Sequence, residues 1–111
     1  MNDNCVFCKI VQGEIPSNKV YEDESVLAFY DIEPIAPIHI LVIPKVHINS
    51  FMDIEDEKLM MHINKIIKKV ATEKGLNEKG FRIVTNIGED GGQAVKHLHF
   101  HILGGKKLPT R

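Results

Sequence analysis

At 111 residues the chain can bury one hydrophobic core but not two, so we expect a single domain spanning residues 1–111. Its net charge of −1 excludes an overall field that would attract nucleic acid or anionic lipid, and no apolar run is long enough to span a membrane. The start of the chain, "MNDNCVFCKI", lacks the basic and then apolar order of a signal peptide. We therefore expect a cytoplasmic protein with no nucleic-acid or membrane partner, in which thiols stay reduced.

The first half of the chain predicts a short helix and three strands. Apolar residues at one-turn spacings, from Val6 to Val11, indicate a short N-terminal helix that ends before Gly13. "NKVYED" is typical of a brief edge strand, and "SVLAFYDI" alternates between two faces, as a strand does. After the turn "EPIAP", the segment "IHILVIP" predicts a buried strand that contains His39 and ends at Pro44.

One long helix and two further strands follow. Asp53 is the predicted N-cap of the helix, and Gly75 is its predicted C-terminal stop. The predicted buried stripe of the helix consists of Leu59, Ile63, Ile66, Ile67 and Val70. "FRIVTN" predicts a strand, "IGEDGGQAVK" a glycine-containing loop, and "HLHFHILG" the last strand. Several strands, one long helix and short connections indicate an α+β fold whose sheet is mostly antiparallel.

Three of the six histidines fall within five positions at the start of the last predicted strand. Residues two apart share a strand face, so His97, His99 and His101 lie on one face, opposite Leu98 and Phe100. Apolar packing does not explain three imidazoles on one face, which indicates a functional site. Two chemistries stay open: a His-x-His zinc arrangement, and metal-free nucleophilic or proton-transfer chemistry on an anionic substrate such as a phosphate. The outer two histidines stand about 13 Å apart along the strand, which is awkward for one tetrahedral ion.

The segment "HLHFHILGG" matches the His-φ-His-φ-His-φ-φ motif (φ is apolar) of the histidine triad superfamily. Nearly the whole chain resembles the Hint branch of that superfamily, through "CVFCKIVQGEIPSNKVYEDESVLAFYDI", "APIHILVIPK" and "NIGEDGGQAVKHLHFHILGG". The resemblance implies an α+β homodimer with a sheet continuous across the interface, formed by the long helix, including Met61, and by "FRIVTN". It also implies hydrolysis of purine nucleoside 5′-phosphoramidates or related nucleotidyl conjugates to the nucleoside monophosphate. The implied intermediate is a covalent nucleotidyl-histidine, and no cofactor is needed for catalysis.

The resemblance assigns catalytic roles to four histidines. His99, the middle one of the motif, is the nucleophile that attacks the α-phosphorus. The backbone carbonyl of His97 orients the ring of His99 and fixes which nitrogen is free. His101 contacts phosphate oxygens, and His39 completes the cluster.

The same resemblance predicts a pocket for a purine nucleotide such as AMP or GMP. Asp31 accepts hydrogen bonds from the ribose hydroxyls, Asn86 binds phosphate or ribose, and Gln93 lies near the scissile bond. The candidate walls of the base pocket are Phe7, Ile10, Phe29, Ile32 and Leu41. Ala94 occupies a position where many relatives have a serine that helps to bind the phosphate or the leaving group. The chain therefore departs from the family on its leaving-group side.

Cys5 and Cys8 have metal-ligand spacing, but a single Cys-x-x-Cys supplies only half of a tetrahedral site. A redox dithiol is the alternative, although no thioredoxin-like βαβ pattern accompanies the pair. The bacterial Hint-like proteins that the chain resembles often bind zinc through such a pair and two histidines. That resemblance implies a structural zinc on Cys5, Cys8, His47 and His97.

Two other functions stay open on the sequence. A purine nucleotide-binding or scaffold protein with little turnover is consistent with Ala94. A metal-dependent enzyme would use His97, His99 and His101 together as ligands of one ion.

Overall fold

The computed structural model describes residues 4–110 and shows an α+β fold with one antiparallel sheet and a helix against each of its faces. In chain order the elements are α1 (Val6–Val11), β1 (Lys19–Glu22), β2 (Val26–Tyr30), β3 (Ile38–Pro44), a 3₁₀ turn (Phe51–Asp53), α2 (Glu57–Glu73), α3 (Leu76–Lys79), β4 (Arg82–Val84) and β5 (Phe100–Gly104). The predicted fold class is therefore confirmed. No helix within residues 4–110 is long and apolar enough to cross a membrane.

The sheet has the strand order β1-β2-β3-β5-β4, and every neighbouring pair runs antiparallel. In the β2–β3 hairpin Phe29 lies opposite Leu41, and His101 of β5 lies opposite Leu41 on the other side. β3 is thus the central strand, flanked on both sides and buried on both faces. This position explains why its seven residues are almost all apolar.

Strand alternation divides the core into two layers. Val26 and Ala28 of β2 belong to the layer under α2, whereas Leu27 and Phe29 belong to the layer under α1. The α2 layer also contains Ile63, Ile66, Ile67, Val70 and Ala71 of the helix, and Leu98, Phe100 and Ile102 from the end of the chain. Each fully buried aliphatic side chain contributes about 1.5–3 kcal/mol, so the helix is held chiefly by this stripe. The α1 layer is smaller and leaves part of its sheet face open.

The long helix begins later than the sequence pattern predicts. The predicted N-cap at Asp53 is wrong, because Asp56 caps α2 and its carboxylate accepts the N–H of Leu59 at 3.0 Å. Asp53 instead ends the preceding 3₁₀ turn, where its carboxylate accepts a hydrogen bond from the hydroxyl of Ser50 at 2.8 Å. Ser50 is itself the N-cap of that turn, so local capping moves the start of the long helix.

The long helix ends close to where the sequence predicts, at Glu73. Gly75 adopts a left-handed φ of 74°, which turns the chain directly into the short helix α3. The α2–α3 turn and the end of β5 together line a cavity that is separate from the open face under α1.

The last strand begins at Phe100, three residues after the predicted start at His97. The β3–β5 ladder ends at the pair Val42–Phe100, so Leu98 lies outside it. The N–H of Leu98 donates instead to the carbonyl of Ile48 at 2.6 Å. The predicted alternation of faces is nevertheless kept, because the apolar residues enter the α2 layer and the histidines lie on the α1 side.

Candidate active site

A cleft of about 590 Å³ opens on the sheet face that α1 only partly covers. Its walls come from α1, from β2 and the loop after it, from β3 and from the end of the chain. The predicted site residues that line it are Phe7, Ile10, Phe29, Asp31, Ile32, His39, Leu41, Asn86, Ala94, His99 and His101. The predicted metal ligands form a separate cluster beside the cleft. Gln93 belongs to neither set.

His99 is buried, and its Nδ1 lies 2.7 Å from the backbone carbonyl oxygen of His97. A carbonyl oxygen only accepts hydrogen bonds, so Nδ1 carries the proton and Nε2 keeps its lone pair. Burial lowers the pKa of the His99 ring against the smaller opposing effects of the His97 carbonyl and Asp31, so the ring is neutral at pH 7. Phe7 packs edge-on against this ring, with centroids 5.1 Å apart. A neutral, fixed imidazole with one free nitrogen is an available nucleophile.

The tautomer of His101 is set by a chain of hydrogen bonds that starts at the backbone. The N–H of Ile35 donates to Nδ1 of His39 at 3.2 Å, so the neutral His39 ring carries its proton on Nε2. That Nε2 lies 2.8 Å from Nδ1 of His101 and donates to it. Burial, and after it the neighbouring His99 and His39 rings, lower the pKa of His101 to about 4. His101 is therefore a neutral ring with an Nε2–H donor, a group suited to a phosphate oxygen.

Asp31 lies beside these rings at the start of the loop after β2. Its Oδ1 accepts the N–H of Glu33 at 2.9 Å, and its Oδ2 lies 3.4 Å from Nε2 of His39. Each carboxylate oxygen has two lone pairs, so both retain acceptor capacity. A carboxylate at a cleft can thus accept hydrogen bonds from two neighbouring hydroxyls.

Apolar side chains form the wall of the cleft next to this carboxylate. Phe7 of α1 and Phe29 of β2 pack edge to face with centroids 5.8 Å apart, and Ile10 and Leu41 are buried. Ile32 differs from the rest of the predicted wall, because it is 92% exposed on the loop after β2 and stands at the rim. The wall is therefore formed by packed side chains everywhere except at Ile32.

The loop after β4 is held by two side-chain amides. Asn86 donates from Nδ2 to the carbonyl of Gly91 at 2.8 Å, and Oε1 of Gln93 accepts the N–H of Gly88 at 3.0 Å. Gln93 also donates from Nε2 to two backbone carbonyls, one of them that of Asn49 at 2.6 Å. A Cβ at Gly91 would lie 2.2 Å from the backbone oxygen four residues earlier, so only glycine fits there. The structure thus places Asn86 at the cleft, and the amide of Gln93 is occupied by hydrogen bonds to the backbone.

Cys5, Cys8, His47 and His97 form a cluster whose ligand atoms all lie within 4.8 Å of one another. Sγ of Cys5 lies 3.3 Å from Nδ1 of His97, and Sγ of Cys8 lies 3.3 Å from Nδ1 of His47. The two cysteines do not form a disulfide. Two sulfur and two nitrogen ligands at one point are a set that suits tetrahedral zinc.

Both imidazoles of this cluster are oriented for metal binding by partners on their far side. Nε2 of His97 donates to the carbonyl of Pro44 at 2.8 Å, and Nε2 of His47 donates to Oδ1 of Asn49 at 2.9 Å. Each ring therefore turns the lone pair of Nδ1 toward the thiols. Burial lowers the pKa of His97, which favours the neutral ligand form. A metal centre on the three triad histidines does not fit, because both ring nitrogens of His97 are engaged elsewhere.

Two contributors to the site have little or no signal in the sequence. Ile35, in the turn between β2 and β3, supplies only a backbone N–H, and every residue except proline carries that group. Asn49 joins His47 to Gln93, through its side-chain oxygen on one side and its carbonyl on the other. Its position two residues after a predicted metal ligand is the only pattern that points to it.

The family model described as the HIT domain matches residues 12–108. A histidine triad protein from Clostridium difficile is 57% identical, with 100% of this chain and 98% of that chain covered and a TM-score of 0.95. A HIT family hydrolase from Legionella pneumophila Philadelphia 1 is 49% identical over 96% of this chain and 97% of its own, with a TM-score of 0.93. A histidine triad nucleotide-binding protein from Candida albicans is 35% identical over 96% of this chain and 84% of its own, with a TM-score of 0.83. The chain therefore belongs to the HIT domain family.

Proposed function

We propose that this protein is a nucleotide-binding hydrolase that cleaves purine nucleoside 5′-phosphoramidates or related nucleotidyl conjugates to the nucleoside monophosphate. Similar proteins are named as a HIT family hydrolase and as a histidine triad nucleotide-binding protein. The observation that carries the proposal is the 2.7 Å contact between Nδ1 of His99 and the carbonyl of His97, which leaves Nε2 of His99 free. The same cleft offers an aromatic wall and a carboxylate, which suit a base and a ribose.

The reaction proceeds in two displacements at one phosphorus. Nε2 of His99 attacks the α-phosphorus, the bond from phosphorus to the leaving amine breaks, and the amine departs after taking up a proton from the solvent. Water then attacks the phosphorus of the nucleotidyl-histidine, the bond to Nε2 breaks, and the water gives its proton to the solvent. Nε2–H of His101 donates to the phosphate oxygens while charge develops on them, and His39 keeps the proton on that nitrogen. These steps use imidazoles of the chain and no catalytic metal.

The nucleotide is held by groups on either side of the reacting phosphorus. Asp31 accepts the two ribose hydroxyls, and the purine packs on the wall that contains Phe7 and Phe29. Asn86 and the loop that it closes lie at the phosphate, next to Ala94. Because Ala94 has no hydroxyl, the leaving group loses a donor there that a serine would supply.

We further propose that Cys5, Cys8, His47 and His97 hold zinc in a closed tetrahedral shell. Bound there, zinc supplies a cross-link between α1 and the end of the chain, with no open position for a substrate. Reduced thiols are required, which suits the cytoplasm, where we propose that the protein acts.

We also propose a homodimer that extends the sheet. β4 is an edge strand, and its Ile83 is 51% exposed. An exposed apolar edge is a template for pairing with another strand, so β4 of two copies would pair, with Met61 of α2 at the same interface. Light scattering at micromolar concentration should give twice the chain mass, and a monomer mass would end this proposal.

Release of AMP from adenosine 5′-phosphoramidate tests the activity. We expect turnover that is unchanged by brief exposure to EDTA. Binding of AMP without turnover would favour the scaffold role, which the missing hydroxyl at Ala94 makes the second candidate. Immediate loss of turnover in EDTA would favour a metal-dependent enzyme.

A further inference from the structure

A second cavity of about 520 Å³ lies between the α2–α3 turn and the end of β5. It shares no lining residue with the catalytic cleft. Its apolar lining includes Ile38 and the buried Leu76. The charged residues that line it are Lys74, Lys79, Lys106, Lys107 and Glu78. Four cations and one anion therefore surround one concave space.

Within residues 4–110, the lysines that form ion pairs are Lys19, Lys45 and Lys69, none of which lines the cavity. Lys74 contacts an aromatic ring instead, with its ammonium 5.3 Å from the centroid of Tyr30. In a chain with a net charge of −1, four like charges at one place repel one another, and a bound anion would relieve that repulsion.

The size and chemistry of the cavity indicate the class of ligand. Lysine ammonium groups bind phosphate oxygens as point charges, and four of them match a ligand with several negative charges. Small-molecule pockets measure about 300–1,000 Å³, so a concave space of this size suits a compact ligand better than an extended nucleic acid. We propose that the cavity binds a linear chain of three or more phosphates, either free or carried by a nucleotide.

Calorimetric titration with tripolyphosphate tests the proposal on the full-length protein saturated with AMP, so that the cleft is already filled. The double variant Lys106→Gln/Lys107→Gln removes two charges from the cavity. The matched control Lys65→Gln/Lys68→Gln removes two exposed charges from the solvent side of α2. We expect the cavity variant to bind about tenfold more weakly and the control to change by less than about twofold, the order expected for two exposed charge pairs.

A second arm replaces tripolyphosphate with ATP, again in the presence of AMP. Because ATP and tripolyphosphate share the phosphate chain, the affinity for ATP should depend on Lys106 and Lys107 in the same way. Absence of binding at low salt, competition with AMP for one site, or equal losses in the two variants would each overturn the proposal. Tighter binding of a single-stranded oligonucleotide through the same lysines would also overturn it. Zinc content measured before and after titration excludes metal extraction as the source of the heat.

Discussion

The backbone carbonyl of His97 accepts the Nδ1–H of His99 at 2.7 Å, while the imidazole of the same His97 lies 3.3 Å from the thiol of Cys5. One residue therefore contacts the proposed nucleophile through its backbone and the metal cluster through its side chain. A side-chain substitution in the cluster keeps the carbonyl in the chain. The two sites can thus be tested separately, although they share a residue.

The first prediction is that His99 is the covalent nucleophile and His101 is not. Replacing His99 with asparagine removes the attacking nitrogen, so turnover should fall by several orders of magnitude while nucleotide binding remains. His101→Ala loses only a hydrogen-bond donor to the phosphate and should lose less. Mass spectrometry on rapidly quenched enzyme should find a nucleotidyl adduct on His99. An adduct on His101, or substantial turnover by His99→Asn, would contradict the assignment.

The second prediction concerns Asp31 and the ribose. Each charge-assisted hydrogen bond from a hydroxyl contributes about 1.5–3 kcal/mol, so Asp31→Ala should weaken AMP binding strongly. Calorimetry should show little loss for 2′,3′-dideoxy-AMP, which lacks both hydroxyls. Asp31→Asn serves as the matched control because it keeps the size of the side chain but loses the charge. Equal losses for the two ligands would remove the ribose role.

The third prediction is that each chain binds about one structural zinc ion, as a closed four-ligand site requires. Cys5→Ser should lower the melting temperature more than it lowers activity, because the centre joins α1 to the end of the chain and contacts no substrate. Metal analysis gives the zinc content, thermal unfolding the melting temperature and AMP release the activity, all on the same sample. A metal-free preparation with full stability would show that the cluster is not a metal site.

The fourth prediction is that Gln93 positions the loop after β4 and does not contact the nucleotide. Gln93→Ala removes three hydrogen bonds and lets the loop shift, so kcat should fall by about 10- to 100-fold, the scale of a misplacement near 1 Å. AMP affinity should stay within about twofold because the base and ribose groups are untouched. Gln93→Glu keeps the acceptor for Gly88 and should recover part of the rate. An equal loss in AMP affinity would instead indicate direct contact.

The fifth prediction concerns stability in acid and depends on Asp23. Its carboxylate accepts hydrogen bonds from the hydroxyl of Tyr21 at 2.7 Å and from the N–H groups of Ser25 and Val26, and it lies 2.6 Å from Nε2 of His62. Burial opposes its ionisation, yet these hydrogen bonds outweigh burial and hold the pKa of Asp23 well below its usual range.

A carboxylate whose pKa is lowered in the folded state stabilises the protein at pH values above its pKa in the unfolded chain, about 3.9. This contribution is lost as the pH falls toward and through the lower pKa of the folded state. Asp23→Asn should therefore lose stability at pH 6, and its free energy of unfolding should fall less than that of the parent between pH 6 and pH 3. Urea unfolding at both values measures this, and the metal cluster is common to both proteins. Parallel losses in the two proteins would rule out the role of Asp23.

The alternation of apolar residues predicts much of the fold, because the spacing of apolar side chains indicates both the type of element and the face that it buries. Leu98 and Phe100 enter the core and the histidines lie opposite, as the pattern indicates. The start of the last strand is not predicted, since it depends on where the pairing with β3 ends. The last pair is Val42–Phe100, and a pairing partner is not a local property of the sequence.

Residues with a distinctive chemistry can be singled out from the sequence, as at His99 and Cys5, which the structure places at the cleft and in the cysteine–histidine cluster. Residues that act through groups common to all amino acids cannot be singled out in this way. Ile35 acts through its backbone, and the amide of Gln93 is saturated by carbonyls that only the folded chain brings near. The position of Gln93 near the scissile bond stays a prediction from the resemblance, and its hydrogen bonds to Gly88, Asn49 and Val95 appear only in the folded chain.

The contact between Cys5 and His97 joins residues that are 92 positions apart in the chain. Closing so long a loop slows folding more than it lowers stability. The packing of α1 on Phe29 and Leu41 closes much shorter loops and does not depend on this contact. The cysteine–histidine cluster therefore assembles only when the segments around Cys5 and His97 meet, which makes it a late event in folding.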